Sequence, residues 1–264
     1  MTSSVLYTLS GTLATITLNR TASHNAFDAE LIRDLDEALA GLEALKPRAL
    51  ILTGAGATFS AGADLNWMRA MAQASEHDNF TDAMALARCL RRLNNLPFPT
   101  IARLNGSAYG GGVGLASCCD IAVSADSAKF CLSEVKLGLV PAVISPYVIA
   151  AIGARQARRY FLSAEVFDAA QAKAIGLVHE CVPAGELDST VERLVHWLGK
   201  GGPHALAEAK QLVREYCHAQ TDLQMENQDK ANALLIASLR VGKEGQEGLG
   251  AFLEKRPAAW IKPA

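Results

Sequence analysis

The chain has 264 residues, half of them apolar and a fifth charged, which excludes a globally disordered polypeptide and provides enough chain for a sizeable core. Twenty-five Lys and Arg against 27 Asp and Glu give a net charge of −2, so the overall balance carries no nucleic-acid or membrane footprint. Met1 to Leu9 lacks the basic and apolar regions of an export signal. The most apolar stretch, Leu139 to Ile152, is too short to span a bilayer and contains Pro141 and Pro146.

The first hundred residues alternate strands and helices. Leu13 to Leu18 places Ala14, Ile16 and Leu18 on one strand face, and Arg48 to Thr53 is a nearly continuous apolar run suited to a strand covered on both sides. Between them, Asp28 to Leu45 carries Leu31, Ile32, Leu35, Leu39 and Leu42 at helical spacing, with Asp28 and Glu30 in the first turn and Pro47 as the stop. Strand, helix, strand in that order predicts a parallel pairing by crossover. Thr100 to Leu104 reads as a strand, Gly106 to Gly114 as a glycine-rich turn and Leu115 to Cys119 as a short helix. Ile121 to Ser124 and Lys129 to Leu132 follow as short strands.

From Gly153 onward the pattern turns helical: Arg155–Leu162, Asp168–Ala174, Leu187–Leu198, Pro203–Cys217 and Asp222–Leu239, with Leu177 to Val182 the one further strand candidate. The expectation is an α/β body over residues 1–200 followed by a helical region over 201–264. Cys89, Cys118, Cys119, Cys131, Cys181 and Cys217 form no C-x-x-C pair and accompany no histidine cluster. Reduced, buried thiols in a cytoplasmic protein without a metal site are therefore expected.

Gly54 to Leu65 follows a buried strand, as a dinucleotide loop would, but Phe59 stands where the third glycine of G-x-G-x-x-G must be, and no P-loop lysine follows. Asn105 to Cys119 carries three consecutive glycines between a strand and a helix. Backbone amides at such a positive helix end can hold a developing oxyanion, and glycine equally serves close backbone packing. Asn105 stands where a nucleophile elbow around Ser107 would need glycine.

Together, F-S-A-G-A-D-L at Phe59–Leu65, N-G-x-A-x-G-G-G at Asn105–Gly112 and C-D-I-A at Cys119–Ala122 resemble the enoyl-CoA hydratase/isomerase (crotonase) superfamily. L-N-R-x-x-x-x-N-A at Leu18–Ala26, S-E-V-K-L-G-L-V-P at Ser133–Pro141, A-x-x-x-G-L-V at Ala172–Val178 and E-G-x-x-A-F-L-E-K-R at Glu247–Arg256 extend the resemblance over nearly the whole chain. It implies a spiral of ββα units followed by a helical trimerisation region, and a homotrimer or dimer of trimers. The implied substrate is an acyl-CoA thioester, so coenzyme A arrives as part of the substrate and no separate cofactor is needed. The oxyanion amides map onto Ala63 and Gly111, and the catalytic carboxylate onto Glu134. Ala26, Ala61, Asp64, Leu65, Phe252 and Lys255 map onto coenzyme A-binding positions.

One departure from the family pattern bears on the chemistry. Two-glutamate hydratases carry one glutamate two residues after the glycine run, where this chain has Gly114, and a second where it has Glu134. A lone carboxylate suits migration of a double bond. Hydration by it requires that the same water supply the Cα proton, or that an unassigned group help. Finer resemblance favours hydration: the segments around Ala63, Gly111 and Glu134 are similar to a bacterial subgroup of 3-methylglutaconyl-CoA and isohexenylglutaconyl-CoA hydratases, of leucine and acyclic terpene breakdown, which shares this glycine. A non-catalytic acyl-CoA-binding scaffold is the rival of a different class, and retention of Glu134 argues against it.

Other residues carry plainer expectations. Trp67, Met68 and Met71 read as core at helical spacing, Asp120 as a structural hydrogen-bonding group, and Arg155, Arg158 and Arg159 as a solvated or subunit-facing surface. Val143 to Tyr147 replaces a glycine-rich run of many relatives and reshapes the acyl pocket; His24 and His179 are given no role.

Overall fold

The computed structural model describes residues 3–217 and 222–261. The chain opens with β1 (Val5–Ser10) and β2 (Leu13–Leu18), then α1 (Ala29–Leu45), β3 (Ala49–Gly54), α2 (Leu65–Gln73) and α3 (Glu76–Asn95). Next come β4 (Thr100–Leu104), β5 (Ala108–Tyr109), α4 (Gly111–Cys118), β6 (Ile121–Ala125), β7 (Lys129–Cys131) and a 3₁₀ turn, Glu134–Leu137. The remainder is α5 (Ser145–Ser163), β8 (Phe167–Asp168), α6 (Ala169–Ala174), β9 (Glu180–Val182), α7 (Leu187–Gly199), α8 (Pro203–Cys217), α9 (Asp222–Val241) and α10 (Lys243–Leu253).

The main sheet runs β1-β2-β3-β4-β6-β9, with β1 antiparallel to β2 and every later pairing parallel. The expected crossover is present: Leu13 sits opposite Ala49 and Leu18 opposite Gly54. Alternation in β2 buries Ala14, Ile16 and Leu18, while β3 is covered on both faces. Asp28 caps α1 by accepting from the Leu31 amide at 2.8 Å, and Lys46 closes it in the left-handed region (φ +48°) just before Pro47. A second sheet of three short strands, β5-β7-β8, lies beside the glycine-rich turn.

Several elements differ from the sequence expectation. β1 was not anticipated, because its outward residues Leu6, Tyr7 and Leu9 are apolar yet exposed and blur the alternation. The helix placed at Arg155–Leu162 starts ten residues earlier at Ser145, with Pro146 in its first turn and a break at Gly153 (φ +73°, ψ +156°). α3 and α10 also differ, having no counterpart in that expectation. α3 is polar on average although it buries Ala83, Met84, Ala87, Leu90 and Leu93.

The helical C-terminal region is tied to the body. α9 packs along α3, and α10 lies on the Glu134–Leu137 turn so closely that any side chain at Gly248 would meet the Leu137 carbonyl group. Asp120 has the structural role expected of it: its Oδ2 accepts from the Thr100 amide (2.8 Å) and hydroxyl (2.9 Å) and pairs with Lys210 of α8 (2.8 Å). His179 Nδ1 accepts from the Ala122 amide at 3.0 Å, a strand-edge contact. Arg155, Arg158 and Arg159 are exposed, and Arg159 pairs with Glu165.

Cys89, Cys118, Cys119, Cys131 and Cys181 are free thiols; the Cys217 side chain lies outside the described set. Among the described residues, no helix is long and apolar enough to cross a membrane.

Candidate active site

Three loops converge where β2, β3 and β4 end. Residues 59–64 are lashed on both sides: the Tyr109 amide donates to the Ser60 carbonyl (2.9 Å), the Phe27 amide to Gly62 (2.6 Å) and the Asp64 amide to Phe27 (2.8 Å). These bonds use the neighbours of Ala63 and leave its own N–H outside the ladder. Gly111 is the first residue of α4, so its N–H has no acceptor within the helix. Neither amide donates to a protein group among the described residues.

Gly110 makes the turn from β5 into α4 at φ +48°, a conformation side-chain-bearing residues rarely adopt. A Cβ there would also lie 3.1 Å from Oε1 of Glu134, so the glycine makes room for the carboxyl group. Glu134 opens its 3₁₀ turn, and its carbonyl accepts from Gly138 and Leu139. Its Oε2 is buried with no hydrogen-bond partner among the described residues. Lys136, two residues on, does not pair with it: Lys136 Nζ donates to the Ala164 carbonyl at 2.7 Å. Burial pushes the Glu134 carboxyl up to about 7, opposed by a hydrogen bond from its own backbone amide.

That shift predicts a pH effect on stability. A carboxyl near 4.5 in the unfolded chain and about 7 in the folded one holds its proton more tightly when folded. Its contribution is therefore complete at low pH and is lost as pH rises from about 4.5 through about 7. Wild type minus Glu134→Gln should lose up to about 3 kcal/mol of relative stability across that window. Urea midpoints at pH 4.5 and pH 8 check it; a difference that grows with pH contradicts it.

Ala63, Gly111 and Glu134 share one cavity of about 360 Å³. Its walls are mostly apolar and include Phe27, Met68, Met71, Leu86, Val143 and Ile144. Trp67 and Met68 are buried as expected, and they also line this cavity. Gly114 lies behind it, where a Cβ would stand 2.3 Å from Cγ2 and 2.9 Å from Cβ of Ile144. Ile144 thus fills the space that a side chain at 114 would enter. Of the Val143–Tyr147 segment, Val143 and Ile144 line the cavity.

The residues carried over for coenzyme A scatter more widely. Ala61 lines the cavity, and Phe252 sits half-exposed on its wall. Ala26 is buried beside it and its carbonyl accepts from Arg20. Asp64 caps α2 by accepting from the Asn66 (2.8 Å) and Trp67 (3.3 Å) amides, and it pairs with Arg20 at 3.3 Å. Leu65 is the exposed first residue of α2. Lys255 is exposed and off the cavity wall; the neighbouring Arg256 lines it, tied to Glu247 at 2.7 Å.

Sequence reasoning missed a polar group in the same wall. Asp82 of α3 accepts from Trp67 Nε1 (3.1 Å) and from Arg240 of α9 (3.3 Å), and all three residues line the cavity. Arg240 was legible in principle, since Ala233, Ile236, Ala237 and Arg240 fall on one helical stripe whose first three members are buried.

The model of the enoyl-CoA hydratase/isomerase family matches residues 8–263. The chain belongs to the enoyl-CoA hydratase/isomerase family. The crystal structure of an enoyl-CoA hydratase from Shewanella pealeana is 41% identical, with 97% of this chain and 96% of that one covered and a TM-score of 0.79. An enoyl-CoA hydratase from Mycobacterium avium is 33% identical over 99% of this chain and 100% of the other, at a TM-score of 0.86. The short-chain-enoyl-CoA hydratase of Clostridium acetobutylicum is 29% identical over 255 residues, 96% of this chain and 95% of that protein. The mixed α/β architecture with its helical C-terminal region is the crotonase fold, and the enzyme is of the enoyl-CoA hydratase type.

Proposed function

We propose that this protein hydrates a branched, carboxylate-bearing 2-enoyl-CoA of the 3-methylglutaconyl-CoA or isohexenylglutaconyl-CoA type, in leucine or acyclic terpene breakdown. The observation that carries the catalytic part is the placing of a buried Glu134 carboxyl, whose Oε2 has no hydrogen-bond partner among the described residues, and the unused amides of Ala63 and Gly111 in one cavity. The substrate class rests on the similarity of these segments to a hydratase subgroup that shares Gly114.

Negative charge grows on the thioester oxygen as water adds, and preorganised amides favour it; one such donor is typically worth about 10²–10³-fold in rate. Ionised Glu134 takes a proton from water as the oxygen bonds to Cβ. Electrons move through the C=C bond onto the thioester oxygen, held by Ala63 and Gly111. The same proton then passes from Glu134 to Cα, so one water is consumed and the carboxylate is regenerated. Coenzyme A is part of the substrate in this scheme, and the protein works as a cytoplasmic homotrimer or dimer of trimers. The exposed Leu234 and Leu235 of α9 offer apolar surface for such an assembly.

A second reading is favoured by Ile144 in the place of a second carboxylate: migration of a double bond in a 3-enoyl-CoA by Glu134 alone. Absorbance of the conjugated enoyl thioester separates the two. Loss of absorbance with a branched glutaconyl ester, exceeding that with crotonyl-CoA, is the expected result. Gain of absorbance with a 3-enoyl ester as the only activity would overturn hydration.

A further inference from the structure

Arg240 comes from α9 and lines the cavity, as do Trp67 and Asp82 and the apolar Ala83, Leu86 and Ile236. Its side chain is only 15% exposed. Two acceptors, Asn79 Oδ1 (3.2 Å) and Asp82 Oδ2 (3.3 Å), both take the same nitrogen, Nη1. Nε and Nη2 have no acceptor among the described residues, and neither is among the polar atoms sealed from solvent-sized space. The guanidinium carbon lies 5.4 Å from the centroid of the Trp67 ring, whose Nε1 is itself fixed on Asp82.

A guanidinium used only to hold α9 against α3 would saturate its donors, because a partly buried cation with unmade hydrogen bonds is costly. Here the pairing with Asp82 and Asn79 fixes the group through one nitrogen and leaves the Nε–Nη2 edge open. That edge is the side-on fork that matches the two oxygens of a carboxylate. With five N–H donors, the group can hold Asp82 on one side and a ligand on the other. An alkyl tail offers it no acceptor.

We propose that Arg240, positioned by Asp82, receives a carboxylate carried on the acyl chain and so selects dicarboxylic acyl thioesters over neutral ones. The proposal rests on the reading of this cavity as the acyl-thioester site.

Binding of two unreactive, length-matched esters tests it without requiring turnover: glutaryl-CoA, which ends in a carboxylate, and pentanoyl-CoA, which ends in a methyl group, each titrated calorimetrically. Wild type should prefer glutaryl-CoA. Arg240→Met should cut that preference about 10- to 100-fold, the usual worth of a hydrogen-bonded charge pair, with Arg240→Lys in between. Arg240→Met strands Asp82 in the wall, so Asp82→Asn/Arg240→Met supplies a version without the buried unpaired charge and should lose the preference equally. An affinity ratio that Arg240 does not move, whether both esters weaken together or neither does, overturns the proposal and leaves the thioester reading standing. If wild type binds neither ester, the thioester reading falls and this proposal with it.

Discussion

Glu134→Gln should reduce turnover about 10²–10⁴-fold, the usual worth of a positioned acid–base group, while the Kd for a saturated acyl-CoA stays within threefold of wild type, roughly 0.6 kcal/mol. Gln keeps the shape of the side chain beside Gly110 and removes the group that shuttles the proton. The pH profile sharpens the expectation. In the proposed chemistry the ionised carboxylate starts the cycle, so kcat/KM should rise with pH through about 7, where burial places Glu134. That inflection should vanish in Glu134→Gln. Turnover in this variant equal to wild type would remove Glu134 from the mechanism. A profile that falls through pH 7 would mean that the protonated form is the active one.

The second large effect concerns the position of the missing carboxylate. Gly114→Ala replaces a helical glycine with the best helix former, a change worth about 1 kcal/mol in its favour on propensity alone. Contact with Ile144 at 2.3 Å reverses the sign, because overpacking of this kind costs typically about 1–3 kcal/mol. Ile144→Gly removes both contacting carbons and leaves a cavity costing about 2–5 kcal/mol. The double variant should be more stable than the sum of the singles by about 2 kcal/mol, within the range seen for residues in contact. Denaturant midpoints of the four proteins give the coupling. Additive effects would mean that Ile144 does not occupy the space beside position 114.

Much of the fold could be read from the sequence because its early units are written in clean periods. The alternation in β2, the heptad-like spacing in α1 and the Asp28 cap each point to one structure, and the crossover follows from their order. α3 escaped because its polar residues outweigh its apolar stripe, and β1 because its exposed face is apolar. Within the site, the motif resemblance led to Glu134, Ala63 and Gly111, and the structure brings the three to one cavity. It could not yield Arg240 or Asp82, which lie 158 residues apart on different helices and meet only through the packing of α9 along α3. Nor could it show that Ile144 fills the space beside Gly114, since that depends on where the start of α5 places one side chain. Lys255 shows a different limit: the resemblance maps it onto a coenzyme A-binding position, and the structure places it in a left-handed turn (φ +56°) off the cavity wall that Arg256 lines.

In the proposed reaction a single carboxylate, Glu134, adds water to an enoyl thioester held by two backbone amides. Turnover of the branched glutaconyl ester in water enriched in oxygen-18, read by mass spectrometry, tests this most directly. The product of wild type should carry one labelled oxygen, and Glu134→Gln should form that product only at its much reduced rate. A product without the label, formed by wild type at the same rate as the absorbance change, would contradict it.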